Sequence, residues 1–71
     1  MPYANNTQLP LKIRKYLPRH AQDIFRAAFN DAYAHYGAAH EDVAFRIAWA
    51  AVKRHYIQRG VGIWVRRPVH A

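Results

Sequence analysis

The stretch AQDIFRAAFNDAYAHYG, residues 21–37, carries the clearest structural signal in the 71-residue chain. Apolar side chains recur at every third or fourth position along it, which is the spacing of one face of an α-helix. These side chains are Ala21, Ile24, Phe25, Ala28, Phe29, Ala32, Tyr33 and Tyr36. Pro18 suits the first turn of a helix, and Gly37 suits the C-terminal stop. The pattern therefore predicts one long amphipathic helix between Pro18 and Gly37.

A shorter helix is predicted on the N-terminal side of the long one. Two Leu-Pro steps, at residues 9–10 and 17–18, bound this segment. Between them the apolar side chains again follow a helical period: Leu9, Ile13, Tyr16 and Leu17. We expect these side chains to pack inward, with the basic residues of the segment facing solvent.

A third helix is predicted from about Glu41 to Gln58. Its first turn is acidic and its last turn is basic, which is the arrangement that the helix dipole favours. A strip of small side chains, on which another helix can pack closely, is formed by Ala44, Ala48 and Ala51. Bulkier apolar side chains line the adjacent strip: Phe45, Trp49, Val52 and Tyr56. Because most of its surface is apolar, we expect this helix to lie centrally and to contact both others.

The C-terminal segment has the features of a short strand. Gly60 and Gly62 end the predicted third helix, and the IWVRR sequence of residues 63–67 favours extended structure. A strand needs a hydrogen-bonding partner, and the N-terminal MPYA is the other stretch that looks extended. We therefore predict a small, mainly α, three-helix domain with a minor β-element that pairs the N- and C-terminal segments. The alternative is that the strand docks only through Trp64.

The sequence lacks the residues that most enzymes use for catalysis. Ser and Cys are absent and Thr7 is the single Thr, which disfavours a hydroxyl or thiol nucleophile. Asp23 and Asp31 fall on the solvent side of the predicted long helix, without the burial that acid–base catalysis needs. Five histidines are spread along the chain: His20, His35, His40, His55 and His70. They lack the i, i+4 pair and third ligand of a helical zinc site, so we predict no metal site. Without a candidate nucleophile or acid–base pair either, we predict that the protein is not an enzyme and has no cofactor.

Length and composition also limit where the protein works. At 71 residues the chain has the length of one domain, residues 1–71. The absence of Cys excludes disulfides and thiolate zinc sites and fits a reducing compartment. The N-terminus, MPYANNTQLP, is too polar for a signal peptide, and no apolar run approaches the roughly 20 residues that span a bilayer. We expect a cytoplasmic protein that does not span a membrane.

The charge balance points to an anionic partner. Eleven Lys and Arg against four Asp and Glu give a formal net charge of +7, and such a surface attracts polyanions. Nine of the basic residues form three patches: Lys12, Arg14, Lys15 and Arg19; Lys53, Arg54 and Arg59; Arg66 and Arg67. We predict that they bind nucleic acid, DNA or RNA, mostly through its phosphates. A helix-turn-helix mode is disfavoured, because the predicted third helix begins with acidic residues and is apolar along its body.

Several of these residues also have a structural explanation. The basic residues that end the predicted third helix offset its dipole, which stabilises it by roughly 0.3–1 kcal/mol each. Gln22 and Asn30 are polar residues close to the apolar pattern, and we expect their amides to brace neighbouring backbone. Tyr3, Tyr16 and Trp64 could stack on bases, but in so small a domain we expect them to be core residues.

Taken together, these motifs resemble the ChaB family over residues 2–64. The resemblance is carried by Pro2-Tyr3, the two Leu-Pro steps, HAQDIF from His20, Ala28-Phe29-Asn30 with Ala32, AWAAVK from Ala48, Tyr56 and Trp64. One departure is the join between the second and third helices. Here it is only GAAHED, whereas familiar enterobacterial members carry a longer, charged insertion.

The resemblance implies a small helical fold with minor strand content and a non-enzymatic regulatory role. The family's name comes from an association with a cation/proton antiporter, which implies a second kind of partner. The alternative to nucleic acid is therefore a cation antiporter, or another acidic protein, on which the chain would dock as a regulator. The matching residues are mostly apolar or turn-forming, so they carry over a fold rather than an active site.

Overall fold

Helices account for most of the regular structure. The computed structural model describes residues 2–68. Its elements are helices α1 (Leu11–Tyr16), α2 (Arg19–Tyr36) and α3 (Glu41–His55) and strands β1 (Tyr56–Gly60) and β2 (Ile63–Arg66). Short 3₁₀ turns at Asn6–Gln8 and Ala38–His40 precede α1 and α3. This order confirms the prediction of a mainly α chain with three helices and a minor β-element.

Helix α2 is the long helix that the apolar period predicts. Pro18 lies at its N-cap position, and Gly37 ends it with a φ of 86°, a conformation that residues with side chains rarely adopt. Its buried residues are Ala21, Phe25, Phe29 and Ala32. Tyr36, in the last turn, is 47% exposed. The buried face therefore ends one turn before the helix does.

Helices α2 and α3 form a helical hairpin that supplies the core. The alanines of the predicted strip on α3 are all buried, which lets the two helices approach closely. Aromatic rings from the two helices meet edge to face beside this strip. The ring of Phe25 lies 5.3 Å from that of Trp49, and the ring of Phe29 lies 4.7 Å from that of Phe45. Such pairs stabilise a core beyond the area that they bury.

Helix α1 packs through one turn only. Ile13 is buried, and so are Leu9 and Leu17 on either side of the helix, as predicted. Tyr16 is instead 39% exposed and lies against the C-terminal segment. A Cβ atom at Gly62 would lie 2.7 Å from Cε1 of Tyr16, so this contact requires glycine. Tyr16 therefore connects α1 to the segment that follows α3.

Helix α3 ends earlier than the sequence predicts. The predicted end was Gln58, but the backbone becomes extended at Tyr56, where φ is −133° and ψ is 151°. Tyr56 continues the helical spacing from Val52 and is 3% exposed. It would satisfy the apolar pattern as a helical residue and is buried as a strand residue, so periodicity does not reveal the change.

The partner of the C-terminal strand also differs from the predicted one. Within residues 2–68, β2 pairs antiparallel with β1, and Ile57 lies opposite Val65. The N-terminal segment packs elsewhere: the ring of Tyr3 lies 5.0 Å from that of Phe29, and its backbone bonds to the side chain of Asn30. A two-residue turn closes the β1–β2 hairpin, and so short a loop costs less entropy than joining the ends of the chain.

Trp64 fixes this hairpin to the helices. Its ring lies 5.6 Å from that of Trp49. Trp64 and Tyr3 are both partly buried and pack against the core, in agreement with the expectation that they serve the core. The predictions for Met1 and His70 fall outside the described residues. No helix within residues 2–68 combines the length and the apolar character that crossing a membrane requires.

Candidate polyanion-binding surfaces

All nine basic residues that the sequence predicts as polyanion-binding are exposed. The fold does not keep their three sequence patches. It places Arg14 and Arg19 beside one cavity, and Lys53 and Arg67 beside another. The remaining five predicted residues lie outside the lining of both cavities: Lys12, Lys15, Arg54, Arg59 and Arg66.

The first cavity, here called the arginine cleft, has a volume of about 560 Å³. It lies where the first 3₁₀ turn, α1 and the start of α2 meet, and its lining is polar throughout: Asn5, Asn6, Thr7, Arg14, Arg19, Gln22, Asp23 and Arg26. Arg26 was not among the predicted site residues. It lies seven residues after Arg19 on the same face of α2, a spacing that the helical period does indicate.

Hydrogen bonds hold two of the three arginines of the cleft. Nε of Arg14 donates to the carbonyl of Leu9 at 2.9 Å, and Nε of Arg26 donates to Oδ1 of Asn6 at 2.7 Å. The carboxylate of Asp23 lies 3.9 Å from Arg26 and accepts a bond of 2.5 Å from Nδ2 of Asn6. This network fixes the N-terminal segment on α2 and leaves the cleft with more cations than anions.

The two amides singled out in the sequence brace backbone, as predicted. Nε2 of Gln22 donates to the carbonyl of Leu17 at 2.9 Å and to that of Arg14 at 3.2 Å, which ties α1 to α2. Nδ2 of Asn30 donates to the carbonyl of Tyr3 at 2.7 Å, and Oδ1 of Asn30 accepts from the amide of Tyr3 at 3.3 Å. Both side chains therefore have a structural role that explains their presence.

The second cavity, of about 290 Å³, lies at the base of the hairpin and is bordered by Lys53 and Arg67. Nε of Arg67 donates to the carbonyl of Lys53 at 2.6 Å, and its backbone amide donates to the carbonyl of His55 at 2.8 Å. Arg66 lies on β2 opposite Tyr56, and the ladder shifts register at Arg59. The hairpin thus brings Lys53 of the second patch beside Arg67 of the third.

One side of the hairpin is apolar and exposed. Ile57 and Val65 face each other across the ladder, and Ile63 shares their side because side chains alternate along a strand. Ile63 is 57% exposed, Val65 is 36% exposed, and the turn residue Val61 is 95% exposed. We call these four residues the hairpin face. The opposite side of the sheet carries Tyr56 and Trp64, which pack on the helices.

Sequence reasoning missed the hairpin face because it assigned residues 56–58 to a helix. Two signals were available. The glycines at 60 and 62 bracket a turn residue, and β-branched residues alternate after it. Read together, these features indicate a hairpin rather than a lone strand.

Lys12 and Lys15 belong to neither cavity. Nζ of Lys15 lies 5.5 Å from the ring centroid of Tyr16, a cation–π distance. Because Tyr16 packs against Gly62, Lys15 lies on the part of α1 that contacts the hairpin turn. The predicted first patch is therefore divided between the arginine cleft and this part of α1.

Titratable groups elsewhere do not form a further reactive cluster in the described part of the chain. Within residues 2–68, no three His, Cys, Asp or Glu side chains lie close enough together to hold a metal ion. Nδ1 of His20 lies 3.2 Å from the hydroxyl of Tyr56, a hydrogen-bonded pair between α2 and β1. Burial raises the pKa of Tyr3, and the negative charge of Glu41 adds to the effect.

The arrangement of helices and hairpin is shared with proteins of known family. The family model for ChaB matches residues 9–67. An Escherichia coli K12 protein named "Putative cation transport regulator ChaB" is 37% identical over 75 residues, which cover 94% of this chain and 99% of the relative. The protein of that name in Shigella flexneri matches with the same identity and coverage.

A solved structure extends the comparison from sequence to fold. The NMR solution structure of a protein with that name superposes with a TM-score of 0.83 at 36% sequence identity. The match covers 94% of this chain and all of the other. With the family model spanning most of the residues, and a relative above 30% identity over nearly its whole length, the chain belongs to the ChaB family.

Proposed function

We propose that this protein is a non-enzymatic, cytoplasmic regulator of cation transport that docks on an acidic protein surface through its hairpin. The partner class is a cation/proton antiporter. The name carried by its relatives supports the transport role. The observation that carries the mode of action is the hairpin face, because it exposes apolar side chains among basic ones.

The mixture of apolar and basic side chains favours a protein partner over nucleic acid. Isolated apolar residues on a surface are ordinary, but grouped ones mark interaction sites. Val61, Ile63 and Val65 lie within five residues of sequence on one exposed hairpin. Protein interfaces combine an apolar centre with a polar rim, whereas nucleic-acid interfaces are more polar and more positively charged. The hairpin face supplies such a centre.

The basic residues around the hairpin face indicate the charge of the partner. Lys53, Arg59 and Arg67 are exposed and lie on or beside the hairpin, whereas Arg66 alternates with Val65 and projects from the opposite side of the sheet. A partner with acidic residues around an apolar depression would complement this rim and speed association. Binding should therefore weaken as the salt concentration rises. The contribution of the apolar centre to the affinity should remain at high salt.

Val61→Asp tests this docking mode. Val61 is 95% exposed, so the change should leave the fold intact, yet it places a negative charge at the tip of the face. In proteoliposomes that contain a cation/proton antiporter from the same organism, the wild-type chain should alter cation efflux. We expect Val61→Asp to raise the protein concentration needed for a half-maximal change in efflux at least tenfold, since the substitution buries an unpaired charge in the interface.

Leu11→Asp is the matched control for that experiment. Leu11 is also an exposed apolar residue, at 66%, but it lies at the start of α1 rather than on the hairpin. It should keep most of the response. Docking through the hairpin face would be contradicted if the wild-type chain leaves efflux unchanged. It would also be contradicted if both variants reduce the change in efflux equally.

Nucleic acid binding is the second candidate, and the net charge of +7 together with nine exposed basic residues supports it. Contacts with phosphates would make the affinity for duplex DNA fall with salt, with a log–log slope of about −0.9 per contact. Titration of the wild-type chain with unrelated duplexes at two salt concentrations tests this. Binding with a steep slope and no sequence preference supports the candidate, and absence of binding at low salt removes it.

A further inference from the structure

The arginine cleft differs in chemistry from the hairpin face and lies on other elements. Three guanidinium groups, of Arg14, Arg19 and Arg26, border it against the single carboxylate of Asp23. The first turn of the 18-residue α2 has neither an acidic residue nor a side-chain cap, so the positive end of its dipole is not offset there. Both features favour an anion in the cleft.

The side-chain oxygens of the two asparagines that line the cleft are already used as acceptors within the protein. Oδ1 of Asn6 accepts from Arg26, and Oδ1 of Asn5 accepts from the amide and hydroxyl of Thr7. The guanidinium groups have donors to spare. A guanidinium carries five N–H groups, and the bond to Leu9 uses only one of those of Arg14. A ligand rich in acceptors therefore fits the cleft better than a neutral one.

Two of the guanidinium groups are held before any ligand arrives. The Nε bonds of Arg14 and Arg26 fix the planes of both groups against the N-terminal segment. Guanidinium forks match the oxygens of phosphate, which they bind through pairs of charge-assisted hydrogen bonds. A fixed fork also loses less side-chain freedom on binding than a mobile one does.

The size of the cleft indicates more than an inorganic ion. Its volume of about 560 Å³ lies within the range of small-molecule sites, roughly 300–1,000 Å³. We propose that the arginine cleft binds the phosphate group of a small phosphorylated molecule, with Arg14, Arg19 and Arg26 as the phosphate ligands. This site is separate from the hairpin face, so the chain can take a small anion and a protein partner at once.

A titration followed by NMR tests the site on the intact chain. Inorganic phosphate and glycerol 3-phosphate are added to labelled protein at constant ionic strength, with chloride as the comparison ion. The side-chain N–H signals of Arg14, Arg19 and Arg26 should shift and saturate with both phosphates, and chloride should not reproduce this. Tighter binding of the ester identifies a phosphorylated metabolite as the ligand, and equal binding identifies free phosphate. Shifts that never saturate would overturn the proposal.

Arg19→Gln and Arg54→Gln form the matched pair of variants. Both remove one positive charge from an exposed arginine, but only Arg19 borders the cleft. We expect Arg19→Gln to weaken phosphate binding about tenfold, as the loss of a charge-assisted hydrogen bond does, and Arg54→Gln to weaken it less than twofold. Equal losses would show that the net charge, and no built site, attracts phosphate.

The same variants separate this proposal from the proposed function. Arg19 borders the arginine cleft and belongs neither to the hairpin face nor to the cavity at the base of the hairpin, so Arg19→Gln should leave the antiporter response unchanged. Val61→Asp should likewise leave phosphate binding unchanged. A chain that loses phosphate binding with Val61→Asp would contradict the separation of the two sites.

Discussion

The helical core and the C-terminal hairpin differ in how far their apolar side chains are exposed to solvent. In the helices, Phe25 and Phe29 are 0% and 1% exposed, and their rings meet those of α3 edge to face. On the hairpin, Val61 and Ile63 are 95% and 57% exposed. The chain therefore buries Phe25 and Phe29 between its helices and leaves the hairpin with apolar surface that a partner can cover.

This difference indicates that the helical core provides stability and that the hairpin provides the binding surface. The helical core is built from contacts that are periodic in sequence, and its burial stabilises the fold. The hairpin is joined to it through Trp64, Tyr56, the contact of Tyr16 with Gly62 and the hydrogen bonds of Arg67 to the end of α3. These contacts leave the hairpin face uncovered, so the hairpin can present a docking face without carrying the core.

Removing one large apolar side chain from each region should affect the stability of the protein very differently. Phe25→Ala should cost about 3–5 kcal/mol, because it leaves a cavity in the core. That is comparable with the whole stability of a domain of this size, so a urea or thermal melt should show an unfolded or nearly unfolded protein. Ile63→Ala on the hairpin should cost less than about 1 kcal/mol, because Ile63 is mostly exposed. Similar melts for both variants would remove the distinction.

Gly62→Ala tests how the hairpin is attached. Gly62 has a φ of 70°, and its Cβ would collide with the ring of Tyr16, so the change should cost about 1–3 kcal/mol. Amide exchange should become faster across the hairpin while the helical signal in circular dichroism is retained. Gly60→Ala is the matched control, because its Cβ would lie 3.6 Å from Cδ1 of Ile63, an ordinary contact. If the two substitutions behave alike, the contact with Tyr16 does not hold the turn.

A smaller effect is expected where the N-terminal segment meets α2. Asn30→Ala removes both hydrogen bonds to the backbone of Tyr3, which should cost about 1 kcal/mol. The amide of Tyr3 should then exchange faster with solvent, and the hairpin amides should not change. Asp31→Ala, at an exposed neighbouring position on the same helix, should leave the Tyr3 amide protected. An unchanged Tyr3 amide in Asn30→Ala would mean that other contacts hold this segment.

The helices could be predicted from sequence because burial and helical period agree in them. The spacing of Phe25 and Phe29 and the glycine at 37 place α2 correctly, and the alanine strip predicts how α3 packs. The pairing of β2 could not be predicted in this way. It depends on where α3 stops, and the burial of Tyr56 is compatible with both helix and strand.

The candidate surfaces were only partly predictable for a related reason. Charge and exposure of the nine basic residues follow from composition, so all of them lie at the surface. Arg19 and Arg26 share one face of α2 through the helical period. The rest of the grouping depends on tertiary structure: Arg14 joins them only where α1 packs on α2, and Lys53 meets Arg67 only across the hairpin. Side-chain hydrogen bonds over 14 to 27 residues of sequence cannot be read from local patterns.

The most direct test of the central claim maps which region contacts the partner. Labelled protein is mixed with a cation/proton antiporter in nanodiscs, and NMR signals of the chain are followed residue by residue. We predict that the strongest line broadening falls on residues 56–67, centred on Val61 and Ile63, while the core amides of α2 are unaffected. Broadening centred on the arginine cleft, or none at any ratio of the two proteins, would contradict docking through the hairpin face.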